Sequence, residues 1–336
     1  MKALMIEGPG RAIVREAAKP EPGPGEIVVR VMRCGVCGTD FHIFHGTFLS
    51  PYPLIPGHEF AGVVDSTGAG VDDLAPGERV ACDPTLYCGA CEYCLSGRAN
   101  HCLHWGATGD STDGAMAEYV KVPRANAFRL PDALSFAEGA FIEPIACVVH
   151  GMEQLRLRPG RRVLLFGAGS MGQLLIQALA HAGASELAVV DIAEAKLAAA
   201  LASGATRVYP GAGAAADLAD RRGHAGFDAV VDATGAPGVI EAALQYLAPA
   251  GTYLQFGVAP VSARVPLSPF DLYHMDWKLV GSMAVNRTFR PALEWLAAGR
   301  FRVKPLISRV LRLEDVPALL AEGKAADVMK AQISFE

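Results

Sequence analysis

Four cysteines fall within Cys88–Cys102, CGACEYCLSGRANHC, at the spacing Cys-x2-Cys-x2-Cys-x7-Cys. Four thiolates in one short loop, with no coordination position left over, describe a closed tetrahedral zinc site that braces structure. Disulfides at Cys88, Cys91, Cys94 and Cys102 would need an oxidising compartment, which nothing else in the chain suggests. Three further stretches carry reactive side chains: Cys34–His45 (CGVCGTDFHIFH), Leu54–Gly62 (LIPGHEFAG) and Phe141–Gly151 (FIEPIACVVHG). Taken singly, each Cys or His there reads as a packed residue. Taken together, a thiolate, an imidazole and a carboxylate from three loops make an open zinc site with water in the fourth position.

A second kind of chemistry is written in Arg161–Asp191, RRVLLFGAGSMGQLLIQALAHAGASELAVVD. The apolar run Val163–Phe166 reads as a buried parallel strand, Gly167-Ala168-Gly169-Ser170-Met171-Gly172 as a glycine turn, and Leu174, Leu175, Ala178 and Leu179 as the inner face of a helix. A second run, Leu187–Val190, ends in Asp191, 19 residues after Gly172. Strand, turn, helix, strand and acid within roughly 30 residues form a dinucleotide-binding unit. Gly167 permits the tight turn, Gly169 the approach of backbone to a pyrophosphate, and Gly172 close packing of helix on strand. The helix amino-terminus offers free N–H groups to the diphosphate. Asp191 is placed to accept hydrogen bonds from the adenosine ribose.

The elements that must position these groups divide the chain. From Met1 to about Val122 short strands alternate with Gly and Pro: Ala3–Ile6, Ala12–Arg15, Glu26–Cys34, Glu59–Asp65, Arg79–Cys82 and Ala117–Val122, with a turn at Pro20–Gly25. From Glu153 the pattern becomes βα alternation. A helix at Glu194–Ser203, strands near Thr206–Tyr209 and at Phe227–Asp232, a helix at Pro237–Leu247, and strands at Gly251–Gly257 and from Lys278 follow the glycine unit. Six such strands predict a doubly wound parallel sheet. The helix at Arg290–Leu296 and the last strands break the alternation, so the chain is expected to return to its first domain. Two domains suit 336 residues.

Bulk composition narrows the function classes. Hydrophobic residues make up 51% and charged residues 19%, which excludes a disordered chain. A net charge of −5 gives no attraction to nucleic acid or acidic lipid, and the four-cysteine loop has no basic, aromatic surface around it. The amino-terminus has no signal-peptide core, and no run approaches the ~18 apolar residues of a membrane span. The expected compartment is the cytoplasm.

GHEFAG at Gly57–Gly62, CGTDFH at Cys37–His42, the four-cysteine lobe and GAGSMG at Gly167–Gly172 occur in the order found in the zinc-dependent medium-chain dehydrogenases, which the whole chain resembles. Glu143-Pro144 resembles the branch of polyol, sorbitol, threonine and sugar dehydrogenases. The resemblance implies an α/β protein, with a GroES-like, mostly-β catalytic domain at 1–150 and 287–336 carrying a zinc lobe at 88–102. A Rossmann domain at 151–286 completes it, and the active site lies in the cleft between the two. It implies two zinc ions per subunit. Cys37, His58 and Glu143 are the expected catalytic ligands, with Glu59 beside the metal or exchanging onto it. Asp40 is expected to hold the His58 ring. Thr39 resembles the hydroxyl that takes the substrate proton, and His42 its outlet to solvent. Trp105 aligns with an aromatic lining the substrate pocket. Gly167, Gly169, Ser170, Met171, Gly172, Asp191 and Lys196 are expected to contact NAD, joined by Gly235 and Gly257 through backbone. An acid at Asp191 repels a ribose 2′-phosphate, so NAD is expected over NADP.

The implied activity is hydride transfer between NAD and a polar secondary alcohol, first a polyol or sugar alcohol. A threonine dehydrogenase-like or general secondary alcohol dehydrogenase is the alternative, and an NAD-binding redox sensor the non-enzyme one. Small or apolar residues around Gly281-Ser282-Met283-Ala284, where sorbitol dehydrogenases carry a substrate-binding arginine, point away from sorbitol itself. Relatives of this size imply a homotetramer or homodimer.

Overall fold

The computed structural model describes residues 1–323 and 328–336, so a short piece of the expected 287–336 segment lies outside the described residues. It divides into two compact units, Met1–Ala146 with Val285–Gly299 and Val303–Glu336, and Cys147–Ala284 with Arg300–Arg302.

The first unit is built on a sheet whose strand order is Ile307–Leu311, Lys330–Ser334, Glu26–Val36, Glu59–Thr67, Arg79–Cys82 and Ala127–Arg129, with Tyr119–Pro123 also pairing to Glu26–Val36. The long strand Glu26–Val36 is therefore central. Gly35 faces Glu59 on one side and Gln332 on the other, and Cys34 faces both Phe60 and Ile333. Carboxy-terminal chain thus becomes a neighbour of the HEF segment. Leu4, Ile6, Ile27, Val29, Ile43, Phe60, Leu313, Val316 and Ile333 close a shared core. Burial of such apolar area, at about 25 cal/mol per Å², is the main favourable term for each unit.

The second unit is a six-stranded parallel sheet in the order Arg207–Pro210, Glu186–Asp191, Arg162–Phe166, Phe227–Asp232, Leu247–Gln255, Lys278–Gly281. Numbered along the chain this is 3-2-1-4-5-6, the order of a doubly wound dinucleotide fold. Val163, Leu164 and Leu165 have no exposed surface, as expected of a strand covered on both faces. The expected helix at Pro237–Leu247 ends earlier. It runs Pro237–Ala243, tightens to a 3₁₀ turn at Leu244–Tyr246, and gives way to a strand that begins at Leu247. Phe227 pairs with Leu247 there, so sheet pairing overrides helix propensity. Among the described residues, no helix is long and apolar enough to cross a membrane.

The glycine turn depends on backbone contact. Gly167 takes a φ of +95°, and a Cβ on Gly172 would drive into the carbonyl of Gly167. Gly172→Ala is therefore expected to destabilise the second unit by about 1–3 kcal/mol through overpacking. Urea denaturation followed by circular dichroism would show this, and an unchanged midpoint would contradict the packing described.

Candidate active site

The sulfur of Cys37, a ring nitrogen of His58 and a carboxylate oxygen of Glu59 lie within 4.8 Å of one another. Cys37 precedes the helix Gly38–Phe44 and holds its extended N-cap conformation. Asp40 Oδ2 reaches back to accept the Cys37 backbone N–H at 2.7 Å, which pins the thiol-bearing residue to the helix start. His58 stands immediately before the strand Glu59–Thr67, whose first residue is Glu59. Glu143 is in the first turn of the helix Ile142–Leu155. The expected three loops are thus a helix cap, a strand start and a helix first turn, so regular elements hold the side chains more firmly than loops would.

Burial makes this region electrostatically demanding. Asp40 and Glu59 have no exposed surface, and His58, Asp110 and Glu143 are buried too. Asp40 Oδ1, His58 Nδ1, Glu59 Oε1 and Asp110 Oδ1 accept or donate no hydrogen bond. Burial pushes the Asp40 carboxyl up to about 6, with His58 pulling the other way. Burial opposes a charged imidazole at His58, yet Asp110 and Cys37 beside it raise it well above the usual histidine range. Sulfur, imidazole and carboxylate donors around unpaired buried anions suit a divalent cation, and that donor set favours zinc with an open position.

Glu59 is also ion-paired with Lys330, 3% exposed, from the carboxy-terminal strand. Gly35 lies between them in the sheet. A Cβ there would meet the Glu59 carboxylate and stand 3.1 Å from Lys330 Cε. The missing side chain is what lets the pair close over the central strand. Burial opposes the Lys330 charge, but Glu59, Cys37 and Glu143 together hold its ammonium above the usual lysine value. Lys330 carries no local motif, and only the sheet register brings it here.

The remaining expected residues are placed as follows. Glu143 is buried near Lys330 but is not in the 4.8 Å group that Glu59 completes. Thr39 Oγ1 is 3.8 Å from Cys37 Sγ. His42 is exposed, with Nδ1 3.1 Å from Thr47 Oγ1. Asp40, expected to hold the His58 ring, has its Oδ1 4.0 Å from Nδ1, whereas Asp110 Oδ1 is 3.3 Å away. The helix cap takes Asp40 Oδ2, while Oδ1, on the His58 side, has no hydrogen-bond partner. Trp105 is half-buried, and its indole N–H has no partner.

The four lobe sulfurs form a second group. Cys91 Sγ lies 3.5 Å from Cys94 Sγ and 3.9 Å from Cys102 Sγ. Tetrahedral sulfurs at a zinc distance of 2.3 Å would be about 3.8 Å apart, far beyond a disulfide bond. Backbone N–H groups of Ala90 and Cys91 point at Cys88 Sγ, and those of Cys88 and His104 at Cys102 Sγ. The N–H groups of Leu103 and Cys94 lower the Cys91 thiol to about 6, while burial raises Cys94 to about 12. Arg287 donates to the Cys94 carbonyl and Asn286 to that of Gly97, tying the lobe to the later segment of its own unit.

In the second unit, Gly169 caps the twelve-residue helix Ser170–His181 that carries Met171 and Gly172 in its first turn, and a Cβ on Gly169 would meet only open space. That opening at a helix amino-terminus fits a diphosphate. Asp191 Oδ2 accepts the Ala168 N–H at 2.6 Å and Oδ1 the Ala193 N–H at 2.8 Å, so the acid is fixed beside the turn. Lys196 is half-buried, and its carbonyl accepts from Gln173. Asp232 caps the neighbouring strand, accepting from Thr234, Gly235 and Gln255, and Gln255 also donates to the Gly257 carbonyl. A Cβ on Gly257 would stand 2.8 Å from Thr234 N, so two glycine-bearing strand ends lie back to back.

A GroES-like unit with a thiolate–imidazole–carboxylate group and a doubly wound unit with a dinucleotide turn, in one chain, define a class of alcohol dehydrogenase. Residues 23–132 match the alcohol dehydrogenase GroES-like domain and residues 170–298 the zinc-binding dehydrogenase family. The chain is 34% identical to D-altritol 5-dehydrogenase of Agrobacterium fabrum over all of both proteins. It is 32% identical to D-arabinitol dehydrogenase 1 of Uromyces fabae, over 99% of this chain and 97% of that one. A zinc-binding dehydrogenase structure from Sinorhizobium meliloti 1021, bound to NADP, superposes with a TM-score of 0.95 at 34% identity, covering 99% and 98% of the two chains. The chain belongs to the zinc-dependent medium-chain dehydrogenase family, and is an enzyme acting on CH–OH groups.

The buried Lys330–Glu59 pair yields a stability prediction. Lys330→Ala strands a carboxylate without its partner and is expected to destabilise the first unit by about 3–5 kcal/mol. Lys330→Met combined with Glu59→Gln should recover part of that loss. Chemical denaturation of the three proteins provides the check, and a single variant as stable as the parent would contradict the pairing.

Proposed function

We propose that the chain is a zinc- and NAD-dependent dehydrogenase of polyols or sugar alcohols, working in the cytoplasm and oxidising a secondary alcohol to the ketone. The carrying observation is the Cys37–His58–Glu59 group, His58 and Glu59 buried and Cys37 half-buried, whose three donors would leave a tetrahedral metal one open position. The polyol class is supported by the D-altritol and D-arabinitol dehydrogenases over full length.

When bound, zinc supplies Lewis acidity toward the substrate oxygen, and the nicotinamide ring supplies the hydride acceptor. Cys37 and His58 hold the metal, with Glu59 and Glu143 as the carboxylates available to complete its shell. A second zinc is held by Cys88, Cys91, Cys94 and Cys102. Thr39 Oγ1, beside Cys37, takes the hydroxyl proton, and exposed His42 passes it to solvent with Thr47 on its ring nitrogen. Trp105 presents its indole edge to a polar substrate. Gly167, Gly169, Ser170, Met171 and Gly172 cradle the diphosphate. Asp191 and Lys196 receive the adenosine ribose, while Gly235 and Gly257 approach the cofactor through backbone. The fixed carboxylate of Asp191 favours NAD in this chain, although the Sinorhizobium structure holds NADP.

The strand Lys278–Gly281 is the edge of its sheet. Phe270, Tyr273, Leu279, Val258 and Val261 are exposed nearby in sequence. An unpaired edge with apolar neighbours supports association with further copies of the chain as a dimer or tetramer. Light scattering of the purified protein should give at least twice the chain mass, and a monomer would overturn this part.

The activity is tested by NADH formation from D-arabinitol, D-altritol, other polyols, threonine and simple secondary alcohols. Turnover with polyols is expected. Turnover confined to threonine or simple alcohols would overturn the substrate class. Asp191→Ser should raise the KM for NAD roughly tenfold, about 1.4 kcal/mol, and narrow the preference over NADP. Equal use of both cofactors by the parent would overturn the NAD assignment.

A further inference from the structure

Gln173 belongs to none of the motifs above, yet its side chain is fully buried in the first turn of the helix Ser170–His181. Its neighbours Leu174, Leu175 and Ile176 are buried and apolar, so a primary amide among them needs partners for two N–H groups and an oxygen. All three are met. Nε2 donates to Ala168 O at 3.0 Å and to Lys196 O at 3.1 Å, and Oε1 accepts from Ser203 Oγ at 2.8 Å. The opposite flip would set Oε1 against two carbonyl oxygens, so the amide has one workable orientation.

These bonds fix the backbone on both sides of Ala168. Its N–H donates to Asp191 Oδ2 at 2.6 Å, and its carbonyl is the one that Gln173 holds. That carbonyl shares a planar trans peptide with the Gly169 N–H, and in such a unit the two groups point in opposite directions. Drawing the carbonyl toward the buried amide therefore turns the Gly169 N–H away from the core. Among the described residues this N–H meets no acceptor, and a Cβ on Gly169 would meet only open space. The amide is itself anchored on the helix Glu194–Ser203, at Lys196 in the first turn and at Ser203 at the end, so the turn is braced by a second element.

We propose that Gln173 is a positioning residue of the dinucleotide turn, whose side-chain amide aims the Gly169 N–H at a bound diphosphate. A hydrogen bond from this N–H to a charged phosphate oxygen is among the stronger kinds, and its full value needs a donor oriented before the ligand arrives. Gln173 supplies that orientation through the peptide it holds. The inference rests on the reading that this unit binds NAD.

The test uses the full-length protein and Gln173→Met, which nearly keeps the volume and loses the amide. Affinities for NAD, ADP-ribose and adenosine are read by titration calorimetry, with circular dichroism confirming that the variant is folded. Gln173→Met is expected to weaken NAD and ADP-ribose roughly 10-fold. Asp191 keeps its own bonds to the Ala168 and Ala193 N–H groups, so adenosine, which has no phosphate, should stay within about twofold. Parent-like ADP-ribose affinity in the folded variant, or a loss shared equally by adenosine, would overturn the assignment. Hydrogen exchange resolved to single amides in the parent needs no variant. The Gly169 N–H should exchange freely in the unliganded protein and become protected by ADP-ribose, with the Ala168 N–H protected throughout. A Gly169 amide already protected without ligand would overturn the assignment too. A parent that binds neither NAD nor ADP-ribose would overturn the underlying cofactor reading, and the inference with it.

Discussion

The structure of the first unit turns on an excess of buried negative charge. The buried carboxyl groups of Asp40, Glu59, Asp110 and Glu143, with the half-buried Cys37, are gathered around one imidazole and one ammonium. Isolated buried charges are costly and persist only when paired or bound to metal. Lys330 answers Glu59, and His58 faces Asp110 and Cys37, but several oxygen atoms stay without a hydrogen bond. A divalent cation would balance what the protein alone leaves unbalanced. The surrounding packing serves that balance: Gly35 leaves room for the ion pair, and Gly57, Gly109 and Gly114 let two backbone segments touch.

What could be read from the chain was what lies close together in it. The glycine turn, its strands and Asp191 are contiguous, and the expected doubly wound parallel sheet of six strands is found. The four lobe cysteines likewise announce themselves by spacing. Asp110 and Lys330 did not, because each reaches the site through tertiary pairing. Lys330 arrives by a carboxy-terminal strand laid beside Glu26–Val36, and Asp110 by a turn clamped to Ile55–Gly57. The nearest legible signal was the run of glycine and small polar residues from Gly106 to Gly114, which marks close backbone approach without saying to what.

The two units meet their constraints by different means. In the second, Asp232 is fully buried yet accepts hydrogen bonds from Thr234, Gly235 and Gln255, so the strand ends are shaped by a satisfied polar network. Such a network holds a rigid rim without help from an ion. In the first unit the polar atoms converge and are left unsatisfied, which is the arrangement expected where a metal supplies the missing interactions. The lobe follows the same principle with four sulfurs and backbone N–H groups.

The most direct test of this account is anomalous diffraction at the zinc edge from crystals of the zinc-loaded protein. The account predicts two peaks per chain, one among Cys37, His58 and Glu59 and the other among Cys88, Cys91, Cys94 and Cys102. A lobe peak alone, with no metal beside His58 in zinc-replete crystals, would contradict it.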